Sequence, residues 1–307
     1  MSKILVIVLS ETRAHELTFD NFKKNVIDVL NADLCLCIGV KSNYDYTNPF
    51  YNLAKYKFTY DEPSDFGDAF DYAYNIISKN KQKQEEFPKH WREFLKVKDQ
   101  FLGGIKDSTN QHPGSAGILI FFRWFLLTKL QENDLINKYD RFIITRSDYI
   151  YQLPHPKIEL LNEDFIWIPN GEHYGGYTDR HVILSKHHIE SYLNILNNFV
   201  IRSNEYFMKM KNRSDWNLER VIKFHLEQNN VLHLVRHTPY VMYAVRNING
   251  TTRWSVGDFS NELGYYIKYS GEYNKSTHYK NKFERSGLTI DEFYSKHIST
   301  TTIEKAL

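Results

Sequence analysis

The chain has 307 residues, of which 42% are hydrophobic and 25% are charged, and its formal net charge is +2. These proportions are typical of a globular protein, and the near-neutral charge argues against a dedicated nucleic-acid binder. Two cysteines are too few for the disulfide framework of a secreted protein, so we expect a reducing, cytoplasmic compartment.

The N-terminal part of the chain predicts a strand–helix–strand unit. Residues 3–9 indicate a buried strand, and the apolar run within them, residues 4–9, is too short for a signal peptide or a membrane span. Residues 19–30 carry apolar side chains at helical spacing, and Asp33–Val40 indicates a second buried strand. Because a helix joins the two strands, we expect them to pair in parallel. Cys35 and Cys37 lie two apart on the second strand and point the same way, which favours core packing over a metal or redox pair.

The remainder of the chain continues the alternation of helices and strands. Helices are predicted over residues 70–77, 116–131, 186–199 and from a cap at Ser214 or Asp215 to about 227, and strands over residues 141–145, 165–168, 181–184 and 231–235. Residues 41–64 are polar and rich in tyrosine, which indicates a loop, and residues 79–83 indicate a solvated charge run. We therefore predict an α/β domain over residues 1–246, with an irregular C-terminal extension, residues 247–307, packed on it.

Polar side chains follow two of these strands, at the edge where an open α/β sheet places its ligands. Residues 10–13 follow the first strand, and Arg146-Ser147-Asp148 follows residues 141–145. A carboxylate such as Asp148 can hold a divalent cation that bridges two phosphates, and the planar guanidinium of Arg146 can bind phosphate oxygens. Arg146 can equally form a structural pair with Asp148, and these residues alone favour that simpler interpretation.

Further motifs follow in order along the chain. Tyr139-Asp140 precedes the strand that ends at Arg146, residues 175–180 (GGYTDR) precede a strand and a helix, and residues 217–220 (NLER) open a helix. Together with residues 11–13, this order resembles the GT-A-type glycosyltransferases of bacterial and large-virus surface-glycan synthesis over about residues 3–246. That family has an Asp-x-Asp metal motif where Arg146-Ser147-Asp148 stands, so arginine replaces the first of the two acids.

The resemblance implies a GT-A-like (Rossmann-like) fold with a mixed, mostly parallel sheet flanked by helices. It implies transfer of a hexosyl or deoxyhexosyl group from a nucleoside-diphosphate sugar to a glycan or glycoprotein acceptor, and a divalent cation, Mn²⁺ or Mg²⁺, on Asp148. UDP is the nucleotide we test first, and we favour an inverting reaction. The implied contacts are Ser10, Thr12, Arg13, Arg146 and Ser147 for the nucleotide, His173, Tyr174, Gly175, Gly176 and Arg180 for the sugar or acceptor, and Glu219 and Asp179 for catalysis.

Glu219 is the first candidate for the base that takes the acceptor proton, and Asp179 is the competing residue. Glu219 lies at a predicted helix N-terminus, where the helix dipole favours an ionised carboxylate. The alternative interpretation is that Glu219 only stabilises its helix and that Gly175-Gly176 only forms a hairpin turn.

Two other functions stay open beside the transferase. One is a non-catalytic carbohydrate-binding or scaffold protein on the same fold. The other is a sugar nucleotidyltransferase, although the Gly-rich basic loop of that class is missing after the first strand. The sequence also lacks dinucleotide-binding, Walker and nucleophile-elbow motifs, and its histidines lack the spacing of a zinc site. Residues 247–307 either complete the acceptor cleft or form a homodimer contact, and their pattern does not choose between the two roles.

Overall fold

The computed structural model describes residues 2–79, 88–98, 101–106, 114–249 and 256–298. Within these ranges the strands are β1 (Ile4–Val8), β2 (Asp33–Val40), β3 (Tyr56–Asp61), β4 (Arg141–Thr145), β5 (Tyr149–Tyr151), β6 (Ile166–Pro169), β7 (Val182–Ser185), β8 (Val235–Thr238), β9 (Met242–Arg246), β10 (Asp258–Ser260) and β11 (Tyr265–Ile267). The helices are α1 (His15–Phe22), α2 (Asp28–Leu30), α3 (Pro49–Leu53), α4 (Phe66–Lys79), α5 (Ala116–Glu132), α6 (Leu135–Lys138), α7 (Ile189–Leu193), α8 (Ile195–Ile201), α9 (Ser203–Met210), α10 (Leu218–Gln228), α11 (Ser270–Glu284) and α12 (Ile290–His297). A π-helical turn, Lys23–Ile27, joins α1 to α2, and 3-10 turns lie at Trp91–Lys96, Ile158–Leu160 and Leu232–Leu234.

Seven strands form one mixed, mostly parallel sheet in the order β3-β2-β1-β4-β7-β6-β8. The pairs β1–β2, β1–β4, β2–β3 and β6–β8 are parallel, whereas β7 runs antiparallel to both β4 and β6. This arrangement confirms the predicted α/β class and the parallel pairing of the first two strands. The carboxyl ends of β1 and β4 lie side by side, because Val8 pairs with Thr145. The residues that follow the two strands therefore meet at one edge of the sheet.

Helices cover both faces of this sheet, and alternate residues of β1 contribute to the two cores. Leu5 and Ile7 pack in the core beneath α4, α5, α7, α8 and α10. Val6 and Val8 pack in the opposite core, which includes Phe22 and residues of the C-terminal helix α12. Because side chains alternate across a strand, a run in which every residue is apolar indicates burial on both faces. Cys35 and Cys37 are buried together in the first core, as predicted.

The helix α5 is apolar around nearly its whole circumference because it packs between neighbouring helices. It contacts α4, α7 and α8, and its buried residues include Phe121, Trp124 and even Arg123. No helix in the described ranges combines the length and the apolar character that crossing a bilayer requires.

A second, four-stranded antiparallel sheet has the order β10-β11-β9-β5. The strand β5 begins directly after Asp148, and it pairs with β9 from Tyr149 opposite Ala244 to Tyr151 opposite Met242. The strand β11 pairs with the other edge of β9. Segments that are far apart in the chain thus converge beside the carboxyl end of β4.

Several predicted elements differ from the structure. Residues 41–64 are not a continuous loop, since they contain α3 and the edge strand β3. In β3, half-buried aromatic residues alternate with exposed polar residues. Neither Ser214 nor Asp215 caps α10, because the side chain of Asn217 accepts the hydrogen bond from the Arg220 backbone. The predicted strand at residues 231–235 begins later, as β8, after a 3-10 turn.

Two further predicted segments differ from the structure, and part of a third lies outside the described residues. The helix predicted over residues 186–199 is divided between α7 and α8. The described residues after 256 form the hairpin β10–β11 and two helices, so this part of the extension is more regular than predicted. Residues 80–83 of the predicted charge run lie outside the described residues.

Candidate active site

Two adjoining cavities lie at the edge of the large sheet where β1 and β4 end. The main cavity has a volume of about 250 Å³, and the side cavity has a volume of about 240 Å³. Arg13 lines both cavities, which places it at their junction. The walls of the main cavity include the turn after β1, the turn after β4, the N-terminal ends of α5 and α10, and two residues that follow β11.

The structure brings most of the predicted site residues into these walls. The main cavity is lined by Ser10, Arg13, Arg146, Asp148, Asp179, Arg180 and Glu219, and the side cavity by Thr12 and Arg13. Ser147 is fully buried behind the wall, where its hydroxyl donates to the Glu11 carbonyl oxygen at 2.7 Å. It therefore connects the turn after β4 to the turn after β1.

Asp148 is the centre of a cluster of positive charges. Its side chain is almost wholly buried, and its two carboxylate oxygens accept hydrogen bonds from Nε and Nη2 of Arg146 at 2.9 and 2.7 Å. Arg246, at the end of β9, donates to the same carboxylate from the other side. Burial alone would raise the pKa of the Asp148 carboxyl, but Arg146 and Arg246 hold that pKa well below its usual range. Asp148 is therefore an ionised, doubly paired carboxylate.

Lys268 is the fourth cation near this carboxylate, after Arg146, Arg246 and Arg13. It is 9% exposed and lines the main cavity. Burial, and then the positive charges of Arg146 and Arg246, lower the pKa of Lys268 to about 7. We call Arg13, Arg146, Arg246 and Lys268, which surround Asp148, the cationic cluster.

The residues around Asp148 do not fit a divalent cation. Mg²⁺ and related cations take several oxygen ligands, whereas both oxygens of Asp148 already accept hydrogen bonds from guanidinium groups. Across the part of the chain that the structure describes, no three His, Cys, Asp or Glu side chains are grouped so that they could hold a metal ion. That Asp148 binds a metal ion therefore stays a prediction. The described residues around it do not supply the further ligands that a metal ion would need.

The second charged feature of the main cavity is a pair of acids, Glu219 and Asp179. Glu219 lies in the first turn of α10, and Asp179 precedes Arg180 in the segment before β7. Burial, and then the charge of Asp179, raise the pKa of Glu219 to about 7. The helix dipole was expected to favour the ionised form of this carboxylate, whereas burial and the like charge of Asp179 act in the opposite direction. A carboxylate whose pKa is near neutral is well suited to accept a proton.

The loop at residues 173–176 supports α10 and is not part of the wall of either cavity. The Tyr177 backbone donates to the Glu219 carbonyl oxygen at 3.0 Å, and a Cβ atom on Gly176 would overlap the Glu219 backbone. The Tyr174 carbonyl oxygen accepts hydrogen bonds from Asn217 at 3.1 Å and from Arg220 at 3.2 Å. Glycine at position 176 thus permits a close approach that fixes the first turn of α10.

The other members of this loop have different surroundings. His173 is packed against the rings of Tyr177 and His237, with the ring centroids 5.7 and 5.3 Å apart. Burial, and then His237, lower the pKa of His173 to about 4. Tyr174 is 50% exposed, and Gly175 has a φ of 82°, a left-handed conformation that favours glycine. The loop residues predicted to contact the sugar therefore lie beside the cavity, behind Glu219.

Several residues of the site were not identified from the sequence, namely Arg123, Arg246, Lys268, Tyr269 and Glu272. Arg180 forms a buried ion pair with Glu272 of α11 at 2.5 Å, and the ring of Tyr269 lies 4.2 Å from its guanidinium. Arg123 of α5 donates to the Asp179 carbonyl oxygen at 3.3 Å. After Arg246 the sequence shows only aromatic and polar segments, and nothing in their spacing connects Lys268 or Glu272 with residues about one hundred positions earlier.

The side cavity combines aromatic and polar groups. The hydroxyl of Tyr44 is 3.0 Å from the Thr12 hydroxyl and accepts a hydrogen bond from Asn48 at 3.0 Å. The rings of Tyr46 and Tyr51 pack edge-on against Tyr44, at centroid distances of 5.0 and 6.0 Å. Such a surface offers both stacking and hydrogen-bonding groups to a small ring.

No protein-family model matches the chain, and no curated protein matches it. Among solved structures, the apo form of mouse xyloside xylosyltransferase 1 aligns with 77% of this chain and 84% of its own chain, at 9% sequence identity and a TM-score of 0.34. A likeness this distant identifies neither a family nor an activity for the chain.

Proposed function

We propose that the protein is a GT-A-like glycosyltransferase that moves a sugar from a nucleoside-diphosphate donor, UDP-linked in the first instance, to a glycan or glycoprotein acceptor. The observation that carries the proposal is the presence of two separate charged groups in one cavity. The cationic cluster supplies positive charge where a diphosphate leaves, and the acid pair supplies a carboxylate for the acceptor proton.

In the proposed reaction, Glu219 accepts the acceptor proton and the cationic cluster stabilises the leaving diphosphate. The acceptor hydroxyl oxygen attacks the anomeric carbon, forming a new C–O bond as the bond from that carbon to the diphosphate oxygen breaks. The hydroxyl proton passes to the Glu219 carboxylate, and the electron pair of the broken bond remains on the diphosphate, whose charge the cationic cluster stabilises. Attack on the face opposite the leaving group inverts the anomeric centre.

The two cavities suggest how the donor lies. The side cavity, with Thr12 and the Tyr44 ring, suits the nucleoside, and Arg13 at the junction suits the first phosphate. The main cavity then receives the second phosphate and the sugar, which places the sugar among Arg180, Asp179 and Glu219. In this arrangement Gly175 and Gly176 act indirectly, by holding Glu219 in position.

The proposal is tested with the full chain, a panel of nucleotide sugars that begins with UDP-sugars, and mixed glycan acceptors. We expect release of a nucleoside diphosphate that depends on the acceptor, together with a glycan product whose mass has increased by one sugar. Glu219→Gln should lower the transfer rate by about 10²–10⁴-fold while the nucleotide still binds. Glu227→Gln, an exposed acid on the same helix, is the matched control and should transfer at the wild-type rate.

Two results would overturn the proposal. Stabilisation by free sugars without any response to nucleotides would indicate a carbohydrate-binding protein, since a ligand that binds only the native state raises apparent stability. Formation of a nucleotide sugar from a nucleoside triphosphate and a sugar phosphate would indicate a nucleotidyltransferase.

A further inference from the structure

Lys268 occupies a fixed position in the wall of the main cavity. It directly follows β11, and its backbone N–H donates to the Ala244 carbonyl oxygen at 2.9 Å, which anchors it to β9. Within the described ranges, no carboxylate lies within ion-pair distance of its ammonium group, and its one recorded ring contact is Tyr269, with the ring centroid at 5.1 Å. A lysine that is mostly buried without an anionic partner is unusual, because burial of an uncompensated charge is costly.

The surroundings of Lys268 carry more positive than negative charge. The cationic cluster has four basic residues, and two acids pair with it: Asp148, which binds Arg146 and Arg246, and Glu11, which accepts a hydrogen bond from Arg13 at 2.8 Å. Three further acids, Glu62, Asp179 and Glu219, line the same cavity, so the surplus of positive charge is confined to the cluster around Lys268. Nε and Nη2 of Arg246 are also buried without a hydrogen-bond partner in the described structure. An anion bound in the main cavity would offset this surplus of charge.

The chemistry of the cluster favours phosphate as that anion. Lysine offers a compact charge with three donors, and Arg146 beside it offers a planar guanidinium suited to phosphate oxygens. A divalent cation that bridges two phosphates would also stabilise their negative charge. However, Asp148, the carboxylate expected to hold such a cation, is already bound by two arginines.

We propose that Lys268, together with Arg146, binds the phosphates of the leaving nucleoside diphosphate and takes the place of a divalent cation in this protein. The proposal rests on the proposed glycosyltransferase function and adds to it a phosphate-binding residue and independence from metal. Asp148 then serves as the anchor that holds Arg146 in the wall of the main cavity, while the buried Arg246 binds the same carboxylate.

The test measures binding of UDP, inorganic pyrophosphate and uridine by calorimetry, each in a chelator and across a Mn²⁺ titration. For the wild type we expect equal UDP affinity in the chelator and in Mn²⁺. Lys268→Met should weaken UDP and pyrophosphate binding by about tenfold or more, the usual size of a lost charge-assisted hydrogen bond, and should leave uridine binding unchanged. Lys268→Arg should retain most of the affinity, and Lys282→Met, an exposed lysine of α11, is the control.

Three outcomes overturn the proposal: UDP and pyrophosphate affinities that Lys268→Met leaves unchanged, wild-type binding that the chelator abolishes and Mn²⁺ restores, or no pyrophosphate binding at all. The sugar-transfer assay described for the proposed function, run with and without Mn²⁺, separates the two proposals. Sugar transfer that requires Mn²⁺ would support the transferase and reject the role of Lys268. Pyrophosphate binding that depends on Lys268, without sugar transfer to any acceptor, would support the phosphate site and reject the transferase.

Discussion

The carboxyl of Glu219 is subject to opposing effects. Its place in the first turn of α10 favours the ionised form, whereas burial and the neighbouring Asp179 favour the protonated form. The second influence is larger, so the pKa lies near 7 instead of the ordinary value of 4.5. The charged groups that act on Glu219 from neighbouring segments are Asp179, Arg180 and Arg123. A base of this kind is ionised only when the pH is near or above neutrality.

The pH dependence of transfer should follow this carboxyl. Because the base must be ionised, kcat/KM should rise about tenfold per pH unit up to a break near pH 7, and it should fall at higher pH as Lys268, whose pKa is also about 7, loses the proton that the proposed phosphate contact requires. In Asp179→Asn the neighbouring negative charge is lost, so the pKa of Glu219 falls and the break should move to lower pH. The measurement is kcat/KM from pH 5 to 9 for both proteins. A profile with the same break in both would remove Asp179 as the residue that acts on Glu219.

Some residues of the site were predictable from the sequence, and others were not. Arg146 and Asp148 are two residues apart and follow a recognisable strand, so their proximity and their relation to residues 10–13 followed from strand order. Lys268 and Arg246 were not predictable, because only the pairing of β9 with β5 and β11 brings them to Asp148. Local sequence contains no information about such distant pairings.

At the scale of elements, the N-terminal end of α10 is held by the loop that packs on it. The loop contributes no side chain to the wall of the main cavity, yet its backbone touches the backbone of Glu219. Gly176 allows that contact because any larger residue would occupy the space of the Glu219 carbonyl group. The position of the proposed base therefore depends on a residue that has no side chain.

Gly176→Ala should force the loop and α10 apart. We expect a loss of about 1–3 kcal/mol in the free energy of unfolding, as is typical of overpacking. We also expect activity per folded molecule to fall on the order of 100-fold, because a small misplacement of a catalytic group has a large effect on rate. Stability is measured by urea unfolding, and activity by transfer at saturating donor.

Gly287→Ala is the control for this prediction. Gly287 has a φ of 66° and no neighbouring atom where a Cβ would lie, so alanine there should cost about 1–2 kcal/mol through backbone strain alone. Its activity per folded molecule should match the wild type. Equal activity losses in the two variants would show that Gly176 affects only stability.

The strands that are buried on both faces were the easiest to predict from the sequence. The strands Asp33–Val40 and Arg141–Thr145 were predicted at their observed bounds, because almost every residue in them is apolar or buried. The edge strand β3 was missed although its aromatic and polar residues alternate as in a half-buried strand, because the polar, tyrosine-rich composition of residues 41–64 as a whole favoured a loop. The strand β5 was missed because three residues give no periodicity.

At the scale of the whole molecule, the C-terminal region closes one side of the main cavity. Glu272 of α11 lies fully buried, pairs with Arg180 at 2.5 Å, and accepts hydrogen bonds from the Tyr240 hydroxyl and the Ala244 backbone, both at 2.8 Å. This network connects α11 to β9 and to the segment that carries Asp179. Residues predicted to belong to an extension therefore contribute to the same site as the residues that follow β1 and β4.

Removal of the Glu272 carboxylate should leave the buried Arg180 without its nearest ion-pair partner, with Glu172 3.5 Å and Asp179 3.9 Å away. We expect Glu272→Ala to lower the free energy of unfolding by about 3–5 kcal/mol, the usual effect of breaking a buried ion pair. The double substitution Arg180→Met with Glu272→Met should be less destabilising than Glu272→Ala, since no unpaired charge remains. Urea unfolding measures both effects. Glu284→Ala, at an exposed position of the same helix, should change stability by less than about 0.5 kcal/mol, and an equal loss in both alanine variants would contradict the role of the ion pair.

The central position of β9 in the small sheet has a consequence for how the protein acquires its binding site. The Val245 backbone donates to the Asp148 carbonyl oxygen, and the Lys268 backbone donates to the Ala244 carbonyl oxygen, so one strand joins two segments that are more than one hundred residues apart. Contacts of such long sequence separation form late, because the entropy of closing the intervening chain must be lost first. During synthesis, a nascent chain can complete β1 to β4 long before Lys268 leaves the ribosome. The phosphate site proposed at Lys268 is therefore expected to form only after β9 and β11 have paired.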